Sequence, residues 1–177
     1  VSTNAVSGVT SGAISGNGSG TVTISGSQSA INATLASVTG VTYLGTLNFN
    51  GADSLTVTTS DLGNSGAGGA LSDVDTVAIT VTAVNDGPTN TVPAGQSVNE
   101  DTALVISGIS IADVDAGTAD VSVTLTVASG TLTVSTNAVS GVTSGAISGN
   151  GSGTVTITGS QSAINATLAD ASGVTYL

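Results

Sequence analysis

The amino-acid sequence predicts an all-β fold, a β-sandwich repeated along the chain with one short helix per repeat. Three observations carry that expectation. Apolar residues alternate with Ser and Thr over several short segments. Gly, Ser and Asn-Gly turns separate those segments. Residues 1–44 recur at 134–177, an offset of 133, differing only at Ser25/Thr158, Ser37/Asp170, Val38/Ala171 and Thr39/Ser172. A period of 133 is too long for a solenoid unit and suits a whole domain, so the chain reads as an array of beads.

Each element has its own local signal. The run "SLTVTT" from residue 54 alternates, and "DTVAITVTAV" puts Val77, Ile79 and Val81 on one face. Strands are expected near 91–98 and over 103–111. "VSVTLTV" at 121–127 sets Val121, Val123, Leu125 and Val127 against Ser122, Thr124 and Thr126. "TLTVS" from 131 and "TVTIT" from 154 repeat the pattern. "SGNGSG" at 15–20 and 148–153 reads as a hairpin loop, because it precedes a strand and lacks the third glycine of a dinucleotide fingerprint. "SQSAINATLA" from 160 spaces Ala163, Ile164 and Leu168 helically behind a Ser that can cap, which predicts a short helix. Between two strand patterns, "AVNDGPTN" carries Gly87 and Pro88, which stop a ladder. The boundary is therefore set there: residues 1–85 form the C-terminal part of one repeat and residues 86–177 the N-terminal part of the next. Open sheet edges are expected in both parts.

Composition removes whole classes of function. The chain has eleven acidic side chains, no Lys, Arg or His, no Cys, and only three aromatics, Tyr43, Phe49 and Tyr176. Without cations there is no nucleic-acid footprint and no hold on anionic membranes, and no run of about 18 apolar residues could enter a bilayer. The absent basic n-region, and a first residue already inside the repeat, read as an internal segment rather than a signal peptide. Catalysis would be left with a bare carboxylate pair and hardly any sugar platform, so no enzymatic role is expected. The Asn-x-Ser/Thr triplets at Asn17, Asn32, Asn150 and Asn165 are what chance supplies in so Ser- and Thr-rich a chain.

Ten of the eleven carboxylates lie between Asp53 and Asp120, and residues 1–52 have none. Two carboxylates about 4 Å apart repel by roughly 4 kcal/mol at an effective dielectric near 20, so clustering without counter-charges calls for an external cation. Oxygen ligands without His or Cys select Ca²⁺. Strand order predicts that head-to-tail beads bring Asn85 and Asp86 towards Asp113 and Asp115, with Asp120 nearby, as an interdomain metal site. It assigns Asp61, Asp73, Asp75 and Glu100 to neighbouring junctions. The bland reading of Asp113 and Asp115 is a solvated turn in which the carboxylates cap backbone amides. Asp101 reads as a turn residue and Asp170 as surface variation.

Four motifs now appear in a familiar order. "AITVTAVNDGPT" resembles the cadherin linker, "VNEDTALV" the glutamate-bearing segment before the second strand, "DVDAG" the Asp-x-Asp loop, and "LTVTTSDLG" the strand ending in Ala-x-Asp-x-Gly. With "NFNGADSLTV" and the "INATLA" helix, the chain is most similar to the bacterial cadherin-like tandem repeats of giant secreted adhesins, the RTX type exported by type I secretion. That resemblance implies a cadherin- or immunoglobulin-like Greek-key sandwich, and Ca²⁺ ligation by Asn85, Asp86, Glu100, Asp113, Asp115 and Asp61. The linker reads Asn-Asp-Gly where the family has Asn-Asp-Asn, and Asp53 is a loose counterpart of the family's Asp-Arg-Glu motif, which implies one or two ions per junction.

The function expected from all this is mechanical: a calcium-rigidified spacer in the stalk of a very large extracellular, cell-surface adhesin or fibre, its partners the adjacent identical repeats head to tail. Two alternatives stand beside it. One is a filament subunit whose sandwich is completed by strands of other copies; the other is a carbohydrate- or receptor-binding module.

Overall fold

The computed structural model describes residues 1–64 and 66–177. The chain divides into two compact units, Val1–Thr82 and Ala83–Leu177. Asn85, which the sequence boundary assigns to the first part, lies in the second unit with Asp86. Among the described residues the regular structure is mostly strand, in small antiparallel sheets, with two short α-helices.

In the first unit, β1 (Ile14–Ser15) pairs with β2 (Thr23–Ile24), α1 (Gln28–Leu35) follows, and β3 (Gly51–Ser60) pairs with β4 (Ser72–Val81). The long hairpin runs from Gly51 opposite Val81 to Ser60 opposite Ser72, so Asp53, Leu55, Val57, Asp73, Asp75, Val77, Ile79 and Val81 share one face. That face is open: Leu55 is 39% exposed and Val77 54%.

The second unit comprises β5 (Thr89–Thr91), β6 (Leu104–Val105), β7 (Ser110–Ala112), β8 (Asp120–Thr126), β9 (Leu132–Val134), β10 (Ile147–Ser148), β11 (Thr154–Ser160), α2 (Gln161–Leu168) and β12 (Val174–Tyr176). Its sheets run β10-β11-β8, β6-β12-β9 and β5-β7. The single strand expected over 103–111 is in fact two, in different sheets; Gly108, at φ +84, breaks the run between them. The strand expected near 91–98 stops at Thr91, short of Pro93.

The alternation read from the sequence sets the core. Val155 and Ile157 of β11 are fully buried, opposite Leu125 and Val123 of β8, and the flanking Thr154 and Thr158 face out. Ile111, Leu132, Val134, Val142, Ile164, Leu168 and Val174 complete the cluster. Each such side chain contributes about 1.5–3 kcal/mol on leaving water. The helix forms where its spacing predicts, and the Ser160 side chain accepts from the Ala163 N–H as N-cap. One polar group is buried within it: Thr167 Oγ1 accepts from the Val142 N–H at 2.8 Å and donates to the Ala163 carbonyl at 3.0 Å. The "SGNGSG" segment turns as expected. Gly149 takes φ +71, and a Cβ there would meet the Thr154 carbonyl at 2.2 Å.

Asp170 does more than vary a surface. Its carboxylate accepts from the Ser172 N–H and hydroxyl, both at 3.0 Å, and these bonds hold it below the usual carboxylate range. Positions 170 and 172 are two of the four at which the repeats differ.

Candidate metal centre

The geometry begins with β5 and β7. Thr89 lies opposite Ala112 and its hydroxyl donates to the Ala112 carbonyl at 3.2 Å, so the linker residues just before β5 sit beside the loop that follows β7. There the Asp86 N–H donates to Asp115 Oδ2. Asp113 Oδ1 accepts from the N–H groups of Asp115 and Ala116, at 2.9 and 3.1 Å, which shapes the loop. The Asn85 side chain donates to the Asp86 carbonyl at 3.2 Å.

Asp86, Asp113 and Asp115 are therefore gathered by strand pairing within one unit, and Asn85 adjoins them. Both the turn role and the juxtaposition are present: Asp113 caps amides while the loop holds the linker. Among the described residues no three carboxylates form a ready-made metal cluster. The donor chemistry nonetheless fits a hard cation. Asn85, Asp86, Asp113 and Asp115 offer oxygen alone, and an exposed loop can rearrange around six to eight ligands.

The other candidates are spread out. Asp61 closes the far end of the β3–β4 hairpin, where its Oδ1 accepts from the Gly63 and Leu71 N–H groups at 2.9 and 2.8 Å. Those bonds pull its carboxyl below the ordinary range. Asp73 and Asp75 stand on the hairpin's open face near the same end, opposite Thr59 and Val57. Asp53 lies towards the other end of that face; it accepts from the Ser54 N–H at 2.7 Å and the Tyr43 hydroxyl at 2.8 Å. The first bond, then the second, lowers its pKa, and the acceptor raises that of Tyr43. Glu100 is in a different place again, lining a groove of about 250 Å³ with Asp101, Tyr176 and Leu177. Asp101 takes φ +60, the left-handed conformation that suits a turn Asp.

Sequence reasoning missed the side-chain amides that position the loop. Gln161 Oε1 accepts from the Asp113 N–H at 2.7 Å, and Asn165 both accepts from the Ile111 N–H and donates to the Ile111 carbonyl, each at 2.9 Å. The available signal was their i, i+4 spacing, which puts two amides on one helix face. Asn150 clamps Val134 in the same two-way fashion. Two of the glycosylation-like triplets thus serve as strand clamps.

Among the described residues no helix is long and apolar enough to cross a membrane. No protein-family model, no curated protein and no solved structure matches the chain.

Proposed function

We propose that this chain is a segment of a calcium-stiffened stalk: tandem Greek-key sandwiches of the bacterial cadherin-like kind, which hold an adhesive module away from a cell surface. The supporting observation is the hydrogen bond from the Asp86 N–H to the Asp115 carboxylate, which joins the linker to the loop that carries Asp113 and Asp115. Ca²⁺ there would neutralise the carboxylates and tie the linker to the loop, replacing a flexible joint by a stiff one. Asp113 and Asp115 would be ligands, with Asp86 and the Asn85 carbonyl oxygen. A domain-length repeat with no cationic side chain agrees with a spacer that works by its mechanics.

Extracellular modules bind Ca²⁺ with Kd of roughly 10⁻⁴ to 10⁻³ M, so the stalk would be loose at cytosolic calcium and stiff outside. Thermal melting in millimolar Ca²⁺ and in EDTA tests the reading. At about 1 mM Ca²⁺, roughly one to ten times that Kd, binding should add about 0.4–1.4 kcal/mol of stability. A melting curve indifferent to calcium overturns it.

A further inference from the structure

Alternate residues of a strand send their N–H and C=O groups to opposite edges, so each edge needs partners of its own. β5 serves one edge of β7, with Thr89 opposite Ala112 and Thr91 opposite Ser110. On the other edge, among the described residues, α2 stands where a strand would. Asn165 accepts from the Ile111 N–H and donates to the Ile111 carbonyl, the two bonds a neighbouring strand would make, and Gln161 accepts from the Asp113 N–H. The helix that carries these amides is itself fixed, because its Ile164, Thr167 and Leu168 are fully buried. Among the described residues no ladder joins the β5–β7 pair to the other two sheets of the unit. The helix amides make that connection instead.

The candidate centre begins where β7 ends. Asp113 is the first residue past the strand, and its N–H is the one that Gln161 holds. Its Oδ1 accepts from the Asp115 and Ala116 N–H groups, and Asp115 Oδ2 accepts from the Asp86 N–H. A continuous path of hydrogen bonds therefore runs from the buried helix through Gln161, Asp113 and Asp115 to the linker. We propose that Gln161 and Asn165 are positioning residues of this centre: they fix the end of β7 to the core, and so set how tightly the loop at 113–116 takes Ca²⁺ without touching the ion themselves. The inference rests on the calcium reading above. A loop already held in one geometry loses less freedom on binding, and groups that orient ligands are worth about 10- to 100-fold in metal affinity.

Two measurements on the full chain test it. In EDTA, amide exchange followed by NMR should quicken at Asp86, Asp115 and Ala116 in Gln161→Ala, although those N–H groups bond to carboxylates and not to Gln161. In a calcium titration followed by the same amide shifts, Gln161→Ala and Asn165→Ala should each raise the Kd about 10- to 100-fold. Gln161→Glu keeps an acceptor for the Asp113 N–H and should bind at least as tightly as the parent chain. Asn150→Ala controls for lost stability, because Asn150 clamps Val134 of β9 in the same two-way fashion but in a different sheet; it should leave the Kd within about twofold. Gln161 is only half-buried, so Gln161→Ala keeps the test available should Asn165→Ala fail to fold. With the parent binding Ca²⁺, a Kd unchanged in Gln161→Ala, or raised as much by Asn150→Ala, overturns the proposal and leaves the calcium reading standing. Exchange at Asp86 and Ala116 unchanged in EDTA also overturns it. A parent chain that does not respond to Ca²⁺ overturns both.

Discussion

Leu35 and Leu168 occupy the same position in identical helices, "QSAINATL", and differ only in what lies against them. Leu168 is 0% exposed within the Val155, Ile157, Val174 cluster; Leu35 is 41% exposed. Truncating a buried Leu to Ala costs about 2–5 kcal/mol, the transfer term plus the cavity. The cluster around Leu168 is framed by strands on two sheets and has little room to relax, so Leu168→Ala belongs at about 3–5 kcal/mol by that scale. Leu35→Ala removes a side chain already two-fifths in water and leaves an open dent, for about 1 kcal/mol. Propensity cancels, since both changes gain the same helix preference. Urea unfolding at micromolar concentration, followed by far-UV circular dichroism, measures both. With a slope of about 1 kcal/mol/M for a unit of this size, Leu168→Ala should lower the midpoint of its transition by roughly 3 M and Leu35→Ala by no more than about 1 M. Equal shifts would refute the reasoning, because local sequence would then outweigh packing.

Four further outcomes follow. Thr167→Val strands the buried Val142 N–H and should cost about 1–3 kcal/mol, while Thr167→Ser keeps both hydrogen bonds and should cost less; urea midpoints compare them. Asp61, depressed by the Gly63 and Leu71 amides, stabilises the hairpin above its unfolded value of 3.8, and that contribution disappears as pH falls through its lower folded pKa; a carboxylate NMR titration finding 3.8 or above would contradict the geometry. Tyr43 is raised above 10.0 by Asp53, so its contribution is present below 10.0 and is lost as pH rises through the folded value; Asp53→Asn should return its ultraviolet titration towards 10.0. For the metal reading, Asp115→Asn should shrink the calcium-dependent rise in melting temperature while leaving the melting temperature in EDTA nearly unchanged.

What the sequence shows depends on how far away the partners lie. Alternation over 121–127 and the Ser160 cap are local signals, and both elements formed where those signals placed them. The break at Gly108 was hidden because β6 finds its partner at Thr175–Tyr176 and β7 finds its own at Thr89–Thr91, and periodicity cannot express a change of sheet. At the candidate centre, strand order predicted that Asp86 approaches Asp115 where two beads meet; the structure has that approach within one unit, through the β5–β7 pair. Gln161 and Asn165 did not, because in a chain rich in Ser, Thr and Asn a polar helix residue reads as solvated surface until the strand it clamps is in view.

The duplicated segment carries this point to function. Forty-four residues with four differences fold their helix, its cap and its buried threonine alike in both places, so those features are written locally. The core is not: Val155 and Ile157 become fully buried only where β8 lies alongside, and the matching Val22 and Ile24 stay partly exposed. The strand laid alongside, not the local sequence, therefore decides how much the apolar positions of such a segment contribute.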